Sequence, residues 1–431
     1  MSRVMQGALL WGGAYLGLAL LPMVVVLVRA PAEARGVGVE FGALLGLLAL
    51  TVMALQALVS GRHRWFGEAL GFDNLLQFHR RMGVIALLLV VAHPAVMLAS
   101  RPAWLDYLDP RDDTLRALTL MGLLAATLLL VVTSLWRQAC QLSYEHWRAL
   151  HGLLAVAVVG GGLAHALMVG HYTAGAAGVL LALLIGLALL LVVETRLLRP
   201  WQVVETQPVR GDATTLVLAP LGRHRLEFAP GQFAWFTLGD TPYRLQQHPF
   251  SLASSAARPE RIAFTAKRLG DFTATLPEVP VGTRAFLEGP FGAFLPDARN
   301  PSGAVLIAGG IGITPMMSIL RTFADRGERL PLWLIYANPT WEEATFREEL
   351  ETLAEQLALE VIHVLDEPPD GWQGERGKVD RDLLERRLPA DDGRRDYFIC
   401  GPDPLMDAAE GGLIELGVEP TRLNSDRFDM V

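Results

Sequence analysis

Long apolar segments dominate the first 200 residues of the chain. They run from about 8 to 28, 39 to 59, 77 to 99, 117 to 136, 149 to 170 and 176 to 195. Each is close to the roughly 20 residues that a helix needs to cross the hydrocarbon core of a bilayer. The pattern therefore predicts six transmembrane helices. The first follows Arg3, but its apolar run is longer than that of a signal peptide, so we expect a retained helix.

The pattern changes after residue 200. Up to about residue 297, short alternating runs rich in Val, Thr and Phe lie between Gly and Pro residues, which indicates antiparallel strands of a small barrel. From Ala304 onward, strand-like runs alternate with helical stretches such as Glu342 to Gln356, which predicts a parallel sheet covered by helices. We expect a six-helix α-helical transmembrane bundle at 1–200, an antiparallel β-barrel at 201–297 and an α/β parallel-sheet domain at 298–431.

Composition supports a membrane protein with a large soluble part. A mean hydropathy of +0.33 is too apolar for a wholly soluble enzyme. The first 200 residues hold 14 of the 37 Lys and Arg and 10 of the 45 Asp and Glu, so neither part has the basic excess suited to nucleic acid. Nine arginines on one side of the predicted membrane against five on the other place the N-terminus and the region after residue 200 in the cytoplasm.

Four histidines on two predicted helices share one spacing. His79 and His93 lie on the third helix, His151 and His165 lie on the fifth, and the two intervals are equal, at fourteen positions each. Fourteen steps of about 100° return to nearly the same helix face, roughly 21 Å further along the axis. Each helix therefore offers one imidazole near each side of the membrane. Three other histidines fall outside this set: His63, His146 and His171.

Imidazoles in hydrocarbon are costly unless they are paired or coordinated, so they are functional candidates. Facing imidazoles at equal depth suit two bis-histidine haems, one above the other. Zinc would need converging ligands, which the separation along the helices prevents. A transporter or proton relay would favour carboxylates and interrupted helices near the midplane, and the segments have neither apart from Pro22 and Pro94 near helix ends. For any one of these histidines, the simplest alternative is a buried core residue whose ring is hydrogen-bonded to the neighbouring backbone.

Segments of the predicted barrel carry groups that can hold an anionic cofactor. Small hydroxyl residues and cations lie near turns at 248–254 and 267–273, and a Gly-Pro-Phe-Gly segment follows at 289–292. Ordinary protein surfaces also have such groups. The candidate cofactor-binding residues are His248, Pro249, Phe250, Ser251, Leu252, Ala253, Ser254, Lys267, Gly270 and Thr273.

A glycine-rich turn lies between a predicted strand at 304–308 and an apolar helix. With Thr314 as the N-cap and Pro315 in the first turn, backbone amides and the helix dipole would face a pyrophosphate. The strand before and the helix after predict nucleotide binding. A later strand brings Cys400 to the carboxyl edge of the sheet, where ligands bind, although a buried structural thiol is also consistent. The candidates are Gly309, Gly310, Gly312, Thr314, Pro315, Cys400, Gly401 and Pro402.

Together these motifs resemble the ferric reductase and NADPH oxidase superfamily, in which a six-helix haem domain is joined to a cytoplasmic ferredoxin-reductase-like dehydrogenase. Without EF-hands or long insertions, the chain looks like a minimal bacterial form. Soluble ferredoxin reductases usually carry Arg where His248 stands, so the transmembrane branch is more similar. The matching segments are His79-Arg80 through His93-Pro94, Trp147-Arg148 through His151 and His165, His248-Pro249-Phe250-Ser251, Gly270-Asp271-Phe272-Thr273, the turn 309–315 and Cys400-Gly401-Pro402.

The resemblance implies a set of cofactors. The His-Pro-Phe-Ser segment would bind FAD, and the glycine turn and the Cys-Gly-Pro segment would bind NAD(P)H, with Cys400 at the catalytic site. Such proteins often end with an aromatic ring stacked on the isoalloxazine. Phe428 is the only aromatic in the last thirty residues, and it is either that ring or a plain hydrophobic anchor.

The resemblance also implies an electron path. A hydride would pass from NAD(P)H to FAD, and single electrons would then pass to an inner b-type haem between His79 and His151 and an outer one between His93 and His165. Ferric chelate is the favoured acceptor. Dioxygen, with superoxide as the product, and a partner protein served by a membrane cytochrome are the alternatives.

Coenzyme choice is set by the residues beside the adenosine ribose. Two carboxylates and no cation lie between Ala337 and Phe346, so we expect NADH to be used at least as well as NADPH. Arg321 or Arg347 folding toward a 2′-phosphate would reverse this preference.

Overall fold

The computed structural model describes residues 3–28, 35–60, 72–194, 199–292, 294–390 and 393–427. The chain divides into two compact units, Met1–Leu197 and Leu198–Val431. The first is helical, and the second contains two six-stranded sheets. The division follows the change of hydrophobic pattern near residue 200.

Long helices make up the described part of the first unit. Four are long and apolar enough to cross a membrane: Val37–Ser60, Leu75–Ser100, Thr114–Leu135 and Tyr144–Val169. The described apolar stretches Leu9–Val24 and Ala177–Leu190 are shorter, so six spanning helices stay a prediction. The helices are α1 (Arg3–Val28), α2 (Val37–Ser60), α3 (Phe72–Ser100), α4 (Thr114–Leu135), α5 (Tyr144–Val169) and α6 (Ala176–Glu194).

Helix α2 is the centre of this bundle. It packs against α1, α3, α5 and α6, and 56% of its apolar window is buried, compared with 6% for α3 and α4. Large apolar side chains such as Leu88, Leu128 and Leu153 are exposed on the outer helices. Apolar side chains on the outside are expected of helices that lie in lipid.

The first sheet of the second unit is antiparallel and curled. Its strand order is β4-β3-β6-β1-β2-β5, and a bridge between Leu252 and Phe264 brings its two edges together. Aromatic and aliphatic side chains such as Trp201, Phe236 and Leu287 fill its interior. The strands are β1 (Pro200–Val209), β2 (Ala213–Pro220), β3 (Phe233–Leu238), β4 (His248–Ser251), β5 (Ile262–Lys267) and β6 (Arg284–Phe291), with a short helix α7 (Asp271–Thr275) after β5.

The second sheet is parallel, as predicted, with the order β10-β9-β8-β7-β11-β12. Helices cover both faces, and apolar side chains fill two cores, one on each side. The strands are β7 (Ala304–Gly309), β8 (Leu332–Asn338), β9 (Leu359–Leu365), β10 (Glu375–Arg376), β11 (Asp396–Cys400) and β12 (Leu423–Asp426). The helices are α8 (Ile313–Arg326), α9 (Arg347–Gln356), α10 (Arg381–Arg387) and α11 (Asp403–Glu415).

Two local expectations were wrong. The helix expected from Glu342 begins only at Arg347, because Phe346 has a left-handed backbone with φ of 63° that a right-handed helix cannot pass through. The preceding loop is instead tied to the first sheet, where the Thr345 hydroxyl donates to the Arg210 carbonyl at 3.0 Å. Thr314 is not the N-cap of α8, because a 3-10 turn over Gly310–Gly312 starts the winding earlier.

Candidate functional site

The helical unit brings the four predicted histidines together as two pairs. The ring centroids of His79 and His151 are 6.3 Å apart, and those of His93 and His165 are also 6.3 Å apart. Two imidazoles that bind one metal ion from opposite sides, through bonds of about 2 Å, have ring centroids roughly 6 Å apart. Each pair therefore has the spacing of two axial ligands, with the long interval along the helices between the pairs.

The hydrogen bonds of two of these rings determine which ring nitrogen carries the proton. His93 Nδ1 lies 2.7 Å from the Gly42 carbonyl oxygen, which can only accept, so Nδ1 carries the proton. His151 Nδ1 lies 3.0 Å from the Ser134 hydroxyl, whose own proton goes to the Leu130 carbonyl at 2.6 Å. Nδ1 of His151 is therefore the donor as well. Both rings keep an unprotonated Nε2, the state in which imidazole binds a metal.

Helices α3 and α5, which each carry one histidine of each pair, do not pack closely on one another in the described residues. Helix α3 packs mainly on α2, and α5 packs mainly on α4, with at most sparse backbone contact between α3 and α5 among the described residues. Gly46 leaves space for the His93 ring, because a Cβ at position 46 would lie 2.8 Å from that ring. The donor set of each pair thus fits a haem, with one imidazole supplied by α3 and one by α5.

The three histidines that the spacing argument left out do not belong to either pair, as far as the structure describes them. His146 contacts Ser143 at the start of α5, and His171 lies beside Tyr172 and 3.7 Å from the Glu40 carboxylate. His63 falls outside the described residues. The spacing argument therefore selected the rings that face one another.

An aromatic stack joins the two predicted cofactor segments of the curled sheet. The His248 ring lies 4.1 Å from the Phe272 ring at an angle of 24°, and Phe250 lies beside Phe272 at 6.2 Å. Ser251 ends β4 and is buried, and its hydroxyl has no hydrogen-bond partner within the described ranges. A buried hydroxyl without a partner indicates a place for a polar ligand. The turn that carries Phe272 is closed by Thr273, whose Oγ1 accepts from the Gly270 amide at 3.0 Å.

Helix α8 of the parallel-sheet region holds the backbone that follows β4. The Ser318 hydroxyl donates to the Ser254 carbonyl at 2.9 Å, and the Arg321 guanidinium donates to the Ala253 carbonyl. The Thr322 hydroxyl accepts from the Ala256 amide at 2.8 Å. Sequence reasoning missed Ser318 and Thr322, and it considered Arg321 only as a residue that could fold toward a 2′-phosphate. No clear signal in the sequence marked them, because α8 also carries Thr314, Asp325 and Arg326.

Not every predicted cofactor residue lies in this group. Lys267 ends β5, and its ammonium donates to the Glu343 carboxylate at 2.8 Å. It ties the curled sheet to the loop that precedes α9. Phe428 lies outside the described residues, so its two alternatives stay open.

The glycine turn and the Cys-Gly-Pro segment meet at the carboxyl edge of the parallel sheet, because β7 and β11 are neighbours. Gly310 has a φ of 53°, in the left-handed region that favours glycine. A Cβ on Gly312 would collide with the Cys400 carbonyl, and a Cβ on Gly309 would lie 2.9 Å from the Pro402 ring. The glycines therefore let the turn before α8 pack directly against the Cys-Gly-Pro segment, at a helix N-terminus of the kind that can hold a phosphate.

Cys400 is fully buried in this edge. Burial, and secondarily the negative charge of Asp426, raises the pKa of its thiol well above the ordinary value. The side chain is therefore a neutral thiol at physiological pH, and it adds no charge where a nicotinamide would bind.

A second aromatic cluster lies where β8 and β9 end. The Trp341 ring stands edge-on to His363 at 4.9 Å, and the Arg347 guanidinium lies 4.5 Å from the Trp341 ring centroid. Burial, and secondarily the charge of Arg347, lowers the pKa of His363 from 6.5 to about 4.

This pKa predicts a pH-dependent stability. Between pH 6.5 and about 4 the unfolded chain binds a proton that folded His363 does not, so stability falls as the pH falls, by up to about 1.4 kcal/mol per pH unit. We expect His363→Gln to lose less stability than the wild type between pH 7 and pH 5. Thermal unfolding midpoints of both proteins at the two pH values check this. An equal decrease in both would contradict the assignment.

Comparison with known proteins agrees with this division of the chain. Residues 45–162 match the family described as ferric reductase like transmembrane component, and residues 306–411 match the oxidoreductase NAD-binding domain. The reductase component of propane 2-monooxygenase from Rhodococcus jostii (strain RHA1) is 29% identical over 236 residues, which cover 53% of this chain and 62% of the relative. NADH-cytochrome b5 reductase 1 of Lodderomyces elongisporus is 32% identical over 165 residues, which cover 38% of this chain and 55% of the relative.

The chain thus spans between half and two thirds of the length of these relatives. The flavohem-like FAD/NAD binding domain of nitric oxide dioxygenase from Vibrio cholerae O1 biovar El Tor is 27% identical, with a TM-score of 0.47, over 53% of this chain and 98% of that chain. The protein described here joins a ferric reductase-like transmembrane domain to a ferredoxin-reductase-like NAD-binding domain, the fusion that its motifs indicated.

Proposed function

We propose that this protein is a transmembrane oxidoreductase that moves electrons from cytoplasmic NAD(P)H, through FAD and two b-type haems, to an extracytoplasmic one-electron acceptor. The observation that carries the proposal is the pair of equal 6.3 Å histidine separations in a chain that also has a nucleotide-binding edge. The excess of arginines on one side favours an orientation with the second unit in the cytoplasm. The resemblance to a minimal bacterial form supports a bacterial inner membrane.

The second unit would bind the two nucleotides. When bound, FAD supplies the conversion of a two-electron hydride donor into one-electron steps. His248 and Ser251 on β4 would contact it, and α8 holds the following backbone in place through Ser318 and Thr322. The amides of the glycine turn would hold the coenzyme pyrophosphate, beside the neutral thiol of Cys400.

The first unit would hold the haems. When bound, haem supplies one-electron carriers at two depths in the membrane. His79 and His151 would bind one haem, and His93 and His165 the other. Because two imidazoles leave no open position on iron, the acceptor would be reduced without binding the metal. Ferric chelates suit this chemistry, and dioxygen and a partner protein are the other acceptors to test.

Purified full-length protein tests the proposal. We expect two b-type haems for each FAD, and NAD(P)H oxidation that depends on an added ferric chelate. A parallel assay with dioxygen alone, followed by superoxide detection, separates the two acceptors. Protein that binds no haem would refute the function.

NADH is expected to support a kcat/KM at least equal to that of NADPH. Both cations near the ribose position are already engaged: Arg321 binds the Glu349 carboxylate at 2.6 and 2.7 Å, and Arg347 donates to the Trp341 carbonyl at 2.7 Å. Neither is free for a 2′-phosphate in this arrangement. Steady-state kinetics with both coenzymes checks this, and a hundredfold preference for NADPH would contradict it.

A further inference from the structure

Gln56 lies on α2 beside the predicted inner ligand His79. The Gln56 side chain is only 8% exposed, in an apolar part of the bundle. Its amide Nε2 donates to the backbone carbonyl of His79 at 3.2 Å. Its Oε1 and the His79 Nδ1 are both buried, and neither has a hydrogen-bond partner among the residues that the structure describes.

These two unpaired atoms are chemically complementary. An amide oxygen accepts, and an imidazole Nδ1 donates when its proton is placed there. Buried polar atoms nearly always have a partner, so two complementary ones on contacting residues need an explanation. Because the Gln56 amide already touches the backbone of His79, a side-chain rotation or one bridging water would be enough to join Oε1 to Nδ1.

The register of α2 against α3 supports this pairing independently. The Gly42 carbonyl accepts from His93, and Gln56 contacts His79. Gly42 and Gln56 are separated by the same number of positions as His79 and His93. Since the two helices run antiparallel, one helix presents an acceptor to each histidine of the other at matching depth.

We propose that Gln56 is a positioning residue for the inner haem, whose Oε1 accepts from His79 Nδ1 and so directs Nε2 toward iron. This rests on the proposed function, which gives His79 a metal to bind. Metal-bound histidines generally donate their other nitrogen to an acceptor that fixes the ring and raises its basicity. His93 has a carbonyl and His151 a serine hydroxyl in that role.

Redox titration of the purified protein, with electron paramagnetic resonance of the ferric haems, tests the proposal. In Gln56→Met a side chain of similar shape lacks the acceptor, so the inner haem should become easier to reduce and its resonance should change. Gln56→Glu keeps an acceptor oxygen, so its inner midpoint should stay at or below that of the wild type. The outer haem should be unaffected in both.

Thr51→Val is the matched control. Thr51 is a buried polar residue on the same helix, but its hydroxyl bonds the Leu47 carbonyl of its own helix. This variant should keep both midpoints and both resonances. If Gln56→Met is poorly produced, Gln56→Leu replaces it with the same expected shift.

The outcomes separate this inference from the function on which it rests. Suppose that the wild type contains two haems and that Gln56→Met leaves the midpoint and the resonance of the inner haem unchanged. This result overturns the role of Gln56 but not the proposed function. An upward shift in Gln56→Glu equal to that in Gln56→Met also overturns it, because the acceptor would then not be the cause. Wild-type protein without haem would fail the proposed function itself.

Discussion

Replacing His93 by alanine is expected to stop electron transfer to an outside acceptor while NAD(P)H still reduces the flavin. The variant would remove one of the two rings, 6.3 Å apart, of the pair that is predicted to lie nearer the outer side. Loss of a direct ligand should exceed the about 10–100-fold effect of losing a residue that only orients one. Haem content, stopped-flow flavin reduction and ferric chelate reduction measure the three quantities separately.

His146→Ala is the matched control for this experiment. His146 is also a histidine of the helical unit, but it contacts Ser143 at the start of α5 and faces neither pair. We expect normal haem content and normal acceptor reduction in this variant. Full outward electron transfer in His93→Ala would show that the outer pair is not a haem site.

Replacing Gly312 by alanine is expected to lower kcat/KM for NAD(P)H by about 100-fold. The added Cβ would collide with the backbone of Cys400, which unlike a flexible side chain cannot move aside cheaply. Overpacking of this kind costs about 1–3 kcal/mol, and the displaced element is the turn whose amides would hold the coenzyme pyrophosphate under the proposed function. Coenzyme titration of the flavin-loaded protein measures the loss.

Gly327→Ala separates strain from the loss of coenzyme binding. Gly327 ends α8 with a φ of 68° and has open space around it. Alanine there should cost about 1–2 kcal/mol of stability through the left-handed backbone, with coenzyme affinity retained. Equal coenzyme affinity in Gly312→Ala and the wild type would contradict the packing argument.

The elements with a strong period were predictable from the sequence. Apolar runs of membrane length predicted the helices. After residue 200, alternating apolar and polar positions predicted the antiparallel sheet, because burial on one face imposes a period, and alternating strand-like and helical stretches predicted the parallel sheet. The repeated histidine interval selected the rings that face one another, since equal rise and rotation bring them to equivalent positions. His248 and Ser251 were recognised as parts of a motif. The sequence did not show that this motif forms a strand of its own, β4.

Contacts between distant segments were not predictable in this way. The start of α9 depends on the loop contact between Thr345 and Arg210, which lie far apart in the chain. The role of Ser318 and Thr322 requires knowing that α8 packs on the segment after β4. Local preference gives no information about such tertiary partners, so these residues looked like ordinary polar positions on a helix.

Helix α2 carries none of the four facing histidines, yet its sequence length is constrained by them. Gly42 and Gln56 each contact one histidine residue of α3. The number of residues between them therefore has to match the distance between the two histidine pairs. A single-residue insertion in that stretch would rotate one contact by about 100° away from its histidine while leaving the other in place. Chains of this architecture should therefore tolerate substitutions along α2 far better than they tolerate a change in the number of residues between these two positions.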